Sequence, residues 1–139
     1  MTRSVEAAKP LADSRKIEIA ISLPRAPVRI AVEGELAERI LQPLLENACQ
    51  YGRSRVEVTL VGTGGKASIY VTDDGPGVTV EEQATIFDPG TRGQAAAGRG
   101  TGSGLGLALA QRLARSAGGN ISAEPSQSGG HFIIELPQV

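Results

Sequence analysis

Apolar and polar residues alternate along this chain in two rhythms, and the switches between them divide it into elements. Residues 4–14 read as a weak first helix or linker that Pro10 should break. Ile17–Ile21 and Val28–Val32 alternate with the period of half-buried strands, and Pro24 and Pro27 between them predict neighbouring strands joined by a stiff turn. From Glu35 to Tyr51 the apolar positions Leu36, Ile40, Leu44, Ala48 and Tyr51, joined by Leu41 and Leu45, recur every three or four residues, which predicts a long amphipathic helix. Residues 56–61 and 67–71 flank Gly62-Thr63-Gly64-Gly65 as a hairpin, and 80–87 suggests a short helix. Leu105, Ala108, Leu109, Leu113 and Ala117 predict a second long helix stopped at Gly118-Gly119, followed by strands at 120–124 and 131–136. Helices and strands serving one core imply an α/β (α+β) two-layer sandwich on a mixed sheet.

Residues 88–103 break this pattern. They hold almost no large apolar side chain, many glycines and three consecutive alanines, too little buried surface to offset the entropy of ordering, so a mobile loop is expected. At 139 residues the chain fits a single domain, 1–139. The net charge of -1, with eleven arginines and three lysines scattered along the chain, leaves no footprint for nucleic acid. One cysteine, Cys49, excludes an internal disulfide, and no His/Cys cluster offers a thiolate or imidazole metal site. No apolar run approaches a membrane span and the start lacks a signal-peptide core, so a soluble chain without direct membrane contact, monomeric in isolation, is expected.

The candidate chemistry sits in the glycines. Seven lie between Gly90 and Gly106, and Gly100-Thr101-Gly102-Ser103-Gly104-Leu105-Gly106-Leu107 runs directly into a helix. Bare backbone and unpaired helix-start donors suit a phosphate. Asp73-Asp74-Gly75-Pro76-Gly77 closes a strand with a carboxylate, which only accepts hydrogen bonds and so selects the exocyclic amine of adenine over the oxo group of guanine, although Asp-Gly pairs also build plain Asx turns. Asn47 shares a helix stripe with Pro43, Gln50 and Tyr51; it suits a Mg²⁺ shared with phosphates, or equally an amide capping a strand edge. Gly65-Lys66 fails as a P-loop, with Leu60 and Ala67 at its two other required positions, and Leu107 replaces the third glycine of a dinucleotide fingerprint.

In order and spacing, Leu44-Leu45-Glu46-Asn47-Ala48-Cys49-Gln50-Tyr51, Asp73-Asp74-Gly75-Pro76-Gly77-Val78, Ile86-Phe87-Asp88-Pro89-Gly90 and Gly102-Ser103-Gly104-Leu105-Gly106-Leu107 closely resemble the ATP-binding catalytic domain of bacterial sensor histidine kinases, from about residue 5 to Pro137. The resemblance implies the Bergerat ATP-binding fold shared with gyrase ATPase domains: a mixed sheet covered on one face by three helices, with a flexible ATP lid over 88–103. By position it makes Asn47 the Mg²⁺ ligand and Asp73 the adenine reader, with Gly75 and Gly77 turning beside the base and Tyr51 lining the pocket. Gln50 falls beside the phosphates. Phe87 anchors the lid, Arg92 and Arg99 reach the γ-phosphate, and Gly102, Ser103, Gly104 and Gly106 form the phosphate turn, with Leu105 and Leu107 anchoring the helix. ATP and Mg²⁺ are the implied ligands.

The resemblance also implies that the γ-phosphate goes to a histidine on a separate helical dimerisation domain of the same parent protein, upstream of a response regulator, in a cytoplasmic setting. No nucleophile or base is expected on this chain; His131, the only histidine, reads as a structural strand residue. Three positions depart from the pattern. Pro43 replaces the usual Asn and should kink the helix, Gln50 replaces a usual Lys or Arg, and His131 follows Gly129-Gly130 where Thr is usual. Weakened nucleotide affinity and no efficient ATP hydrolysis are expected. An anti-sigma-type serine kinase and a nucleotide-sensing docking module are the alternatives.

Overall fold

The computed structural model describes residues 2–25, 28–88, 105–126 and 128–138. Among the described residues nine elements follow one another: α1 (Thr2–Ser14), β1 (Glu18–Ser22), α2 (Gly34–Tyr51), β2 (Arg55–Thr63), β3 (Lys66–Asp73), α3 (Val80–Thr85), α4 (Leu105–Ser116), β4 (Asn120–Glu124) and β5 (His131–Pro137). The five strands form one open mixed sheet in the order β1-β2-β3-β5-β4, in which β1 and β2 run parallel and every other pair antiparallel.

The hairpin between β2 and β3 follows from its turn residues. Gly64 and Gly65 have φ of 59° and 81°, the positive values that a type I′ turn requires at both central positions and that glycine adopts without strain. Strand register then builds the core by alternation. Val58, Val71, Phe132 and Ala123 lie side by side across four strands, as do Leu60, Ile69, Ile134 and Ile121, and all but Leu60 are fully buried. Against them pack Ile40, Leu41, Leu44, Leu45 and Ala48 of α2, with Leu107, Ala110 and Ala114 of α4 and Ala8 and Ala12 of α1. On the opposite sheet face Tyr70 and Val61 are exposed, and His131, Ile133 and Glu135 of β5 are half-buried.

Helix ends obey local chemistry. At the end of α4, Gly119 N–H donates to the Ala114 carbonyl and Gly118 N–H to that of Arg115, with Gly118 at φ 88°, a Schellman ending that leaves the chain aimed at β4. Thr79 and Glu82 cap α3 reciprocally, each side chain accepting from the other's backbone N–H.

Three sequence expectations need correction. The 28–32 segment is not a strand beside β1; only Ile30 forms a bridge, to Gln138, and β1 pairs with β2 instead. The alternation there was real, but both β1 and 28–32 found partners from distant parts of the chain. Pro10 does not break the first helix, since α1 continues through it and buries Ser4, Ala8 and Ala12, with the Ser4 hydroxyl donating to Glu38 of α2. Tertiary packing outweighs one lost helical hydrogen bond. The short helix ends at Thr85 rather than 87, and among the described residues there are four helices, three long and one short. α2 likewise runs unbroken over 18 residues with Pro43 inside it. The lid expected at 88–103 falls, except for Asp88, outside the described residues.

Candidate functional site

Asp73 is where an inward-facing row of the sheet changes character. Ile69, Val71 and Asp73 alternate along β3 toward the helices, so the last position of an aliphatic row carries a carboxylate, 7% exposed. Its Oδ1 accepts from Gly75 N–H at 2.9 Å and from Gly130 N–H at 3.3 Å, while its own N–H donates to the Gly130 carbonyl at 3.0 Å. Two turns therefore orient one buried acid.

Glycine is required at three of the surrounding positions for lack of space. A Cβ on Gly75 would lie 1.9 Å from the Tyr51 carbonyl oxygen, one on Gly52 2.7 Å from that of Ala48, and one on Gly129 2.1 Å from that of Asp73. The end of α2, the Asp73 turn and the start of β5 are thus in backbone contact.

α2 supplies the rest. Pro43, Asn47 and Tyr51 recur every four residues on one face and span about 12 Å at the helical rise. Asn47 and Tyr51 are half-buried, whereas Gln50 is exposed. At the far end of this stripe a Cβ on Gly106 would stand 3.6 Å from Pro43 Cβ, so the first turn of α4 meets α2 there. An α-helix start, the positive end of its dipole, faces one end of the stripe and a buried carboxylate the other.

Phe87 packs edge-on against Phe132 of β5, with ring centroids 6.1 Å apart at 86°, which fixes the residues after α3 to the core. Gly77 and Leu107 are buried. Leu105 begins α4. Arg92, Arg99, Gly102, Ser103 and Gly104 lie outside the described residues. His131 sits in β5 between Thr72 and Glu124, as a strand residue should.

Sequence reasoning missed four contributors. Gly130 donates to Asp73, and the Gly129-Gly130 pair before a strand was its visible trace. Gln83 and Gln111 donate to the Ala123 and Ile121 carbonyls, tying α3 and α4 to β4. Asp74 accepts from the backbone of residues 53–55 and the Ser54 hydroxyl. Burial pushes the Asp74 carboxyl upward, but the hydrogen bonds from the Ser54 hydroxyl and the Ser54, Arg53 and Arg55 amides outweigh it and hold it well below the usual carboxylate range. Cys49, buried beside Asp73 and Glu46, is pushed up to about 11, chiefly by burial and then by those two charges.

The donor set discriminates between cation chemistries. Among the described residues no three His, Cys, Asp or Glu side chains gather into a metal site, so a cation bound by Asn47 would take its remaining ligands from water and a phosphate-bearing substrate, as Mg²⁺ does. Among the described residues no helix is long and apolar enough to cross a membrane.

Comparison with known proteins identifies the family and the fold. The family described as histidine kinase-, DNA gyrase B- and HSP90-like ATPase matches residues 31–139. The sensor protein RstB of Escherichia coli is 41% identical over 101 residues, covering 72% of this chain and 23% of the relative. The sensor protein CutS of Streptomyces coelicolor is 35% identical over 131 residues, covering 91% and 31% respectively. The chain therefore spans between about a quarter and a third of these relatives. Among solved structures, full-length ShkA in complex with AMPPNP superimposes with a TM-score of 0.86 at 28% identity, over 99% of this chain and 29% of that one. The mycobacterial sensor histidine kinase MprB gives 0.81 at 26% identity, over 99% and 95%.

Proposed function

The chain belongs to the histidine kinase-, DNA gyrase B- and HSP90-like ATPase family, and we propose that it is the catalytic domain of a two-component sensor kinase, binding Mg-ATP and presenting the γ-phosphate to a histidine on a separate dimerisation domain. The observation that carries this reading is the placement of Asp73: a buried carboxylate, oriented by two backbone amides, directly beneath the end of the helix that bears Asn47.

In this reading Asp73 accepts the exocyclic amine of adenine and Tyr51 lines the base, with Gly75, whose missing side chain lets the turn close on the end of α2, and Gly77 turning beside it. Asn47 offers its carboxamide oxygen to Mg²⁺, which would neutralise phosphate charge when bound. The start of α4, from Leu105 and Gly106 onward, receives the phosphates together with Gly102, Ser103 and Gly104, and Leu107 fixes that helix to the core. Phe87 tethers the lid, from which Arg92 and Arg99 reach the γ-phosphate, and Gln50 lies beside the phosphates as a neutral contact. Transfer asks little covalent chemistry of the chain: an imidazole nitrogen attacks phosphorus as the bond to the β-phosphate oxygen breaks, and ADP leaves. Positioning and charge neutralisation are the domain's share.

The test mixes the domain with a dimerisation domain from a related sensor kinase and ATP labelled in the γ-phosphate. Acid-labile label on histidine is expected; acid-stable label on serine would favour an anti-sigma-type kinase, and binding without transfer a sensing module. Asn47→Ala should cut nucleotide affinity measured with Mg²⁺ but barely change that measured in EDTA. Equal affinities with Mg²⁺ for the two proteins would remove Asn47 as the ligand.

A further inference from the structure

Asp74 has no part in the nucleotide contacts just described, yet its carboxylate accepts five hydrogen bonds from residues 53–55. Its Oδ1 accepts from the N–H groups of Arg53 at 2.8 Å, Ser54 at 3.0 Å and Arg55 at 3.2 Å. Its Oδ2 accepts from Ser54 N–H at 3.1 Å and from the Ser54 hydroxyl at 2.5 Å. Three consecutive amides converging on one anion form a nest.

Those residues follow directly on Gly52, the cap of α2, and lead into β2 at Arg55. Asp74 therefore fastens the chain that leaves α2 to the turn that ends β3. Gly52 lies in the gap between them, where a Cβ would be 3.4 Å from Asp73 Cβ and 3.7 Å from Asp74 Oδ1. The neighbouring Asp73 holds Gly75 and Gly130, so adjacent carboxylates grip different segments.

We propose that Asp74 is a positioning residue for the nucleotide site: its carboxylate holds the end of α2, with Tyr51, at a fixed separation from the turn that carries Asp73, so the base pocket is formed before a ligand arrives. This rests on the nucleotide reading given above. Oδ1 alone accepts from all three amides and Oδ2 adds the Ser54 hydroxyl, an arrangement that a carboxyl or carboxamide oxygen can begin and a methyl group cannot. Ordering the pocket in advance removes that cost from binding.

Titration calorimetry with Mg-ADP on the whole chain tests the idea. Asp74→Ala should weaken binding by about tenfold or more, the loss expected when the hydrogen bond to a charged group such as the Asp73 carboxylate is misaligned. Asp74→Asn keeps an oxygen for the three amides and should restore affinity to within about threefold, a loss comparable with one weakened hydrogen bond. Wild-type affinity in Asp74→Ala, or equal weakness in Asp74→Ala and Asp74→Asn, overturns the proposal. Should Asp74→Ala fail to fold, Ser54→Ala takes its place: affinity should fall about threefold and amide exchange at residues 53–55 should quicken, whereas no change in either overturns it. Asp73→Asn in the same titration checks the underlying reading. If it binds like wild type, the nucleotide site itself is misassigned; if it fails to bind while Asp74→Ala binds normally, only the positioning role is lost.

Discussion

Gly75→Ala and Gly106→Ala place the same methyl group at two glycines of the proposed nucleotide site and should have opposite consequences. At Gly75 the new carbon would stand 1.9 Å from the Tyr51 carbonyl oxygen and 2.7 Å from its carbonyl carbon, while Cβ atoms essentially never come closer than 3.0 Å, so one backbone must retreat by more than 1 Å. Tyr51 is poorly placed to yield, because Gly52 N–H is bonded to the Ala48 carbonyl at 2.7 Å and the next three residues are held by Asp74. The turn must move instead, carrying the Gly75 amide away from Asp73 Oδ1. Overpacking of this kind costs about 1–3 kcal/mol, or a fall in melting temperature of about 4 °C per kcal/mol for a domain of this size. At Gly106 the nearest atom is Pro43 Cβ at 3.6 Å, an ordinary contact, and alanine is the better helix former. Thermal melts of the three proteins, followed by nucleotide titration, should give a clear loss of stability and about tenfold or more weaker binding for Gly75→Ala, the cost of a misaligned hydrogen bond to a charged group, against an unchanged or slightly raised melting temperature for Gly106→Ala. A Gly75→Ala protein that melts and binds like wild type would show that the turn and the α2 terminus are not rigidly opposed, and the argument from backbone contact would fail.

Two further outcomes follow from the shifted ionisations. Because the Asp74 carboxyl is held below its ordinary range in the fold, its contribution is complete above the unfolded-chain pKa of about 3.9 and fades as pH falls toward the folded value; Asp74→Asn should therefore flatten the loss of stability on acidification below about pH 5, as followed by denaturant midpoints, while a parallel loss in both proteins would refute the assignment. Cys49, fully buried with its thiol pushed up to about 11, should resist a disulfide reagent at pH 8 in the native protein and react promptly in denaturant, and rapid native labelling would contradict its burial.

What was legible in the sequence was the local part. The β2–β3 hairpin was written in Gly64-Gly65, α2 and α4 in their apolar spacing, and the end of α4 in Gly118-Gly119, since each is fixed by residues a few positions apart. The parallel pairing of β1 with β2 was not, because the two strands are separated by the whole of α2 and nothing in either names the other. The same limit hid part of the site. Asp73 could be picked out by its glycines, whereas Gly130 joins it from 57 residues away and Asp74 works on a loop about 20 residues upstream. Long-range partners leave no periodic trace, and Asp74 in particular looked like an ordinary turn aspartate.

Pro43 shows how far a contact can change the reading of a residue. In the sequence it stood for a lost polar side chain and a helix under strain. In the structure it occupies the end of the Pro43-Asn47-Tyr51 stripe at which α4 begins, and its partner is a glycine. A proline ring against a residue with no side chain lets two helices approach closely without burying a polar group that would need its own hydrogen bond. α2 is thereby braced at two points, near its middle at Pro43 by the first turn of α4 and at its end at Tyr51 by the Asp73 turn, with Asn47 midway between. A helix fixed at two points about 12 Å apart sets the distance between the helix start that would meet phosphates and the carboxylate that would meet a base. Pro43 therefore contributes to the geometry of the site by packing, and any weakening of nucleotide affinity at this position would come from the absent amide rather than from a disordered helix.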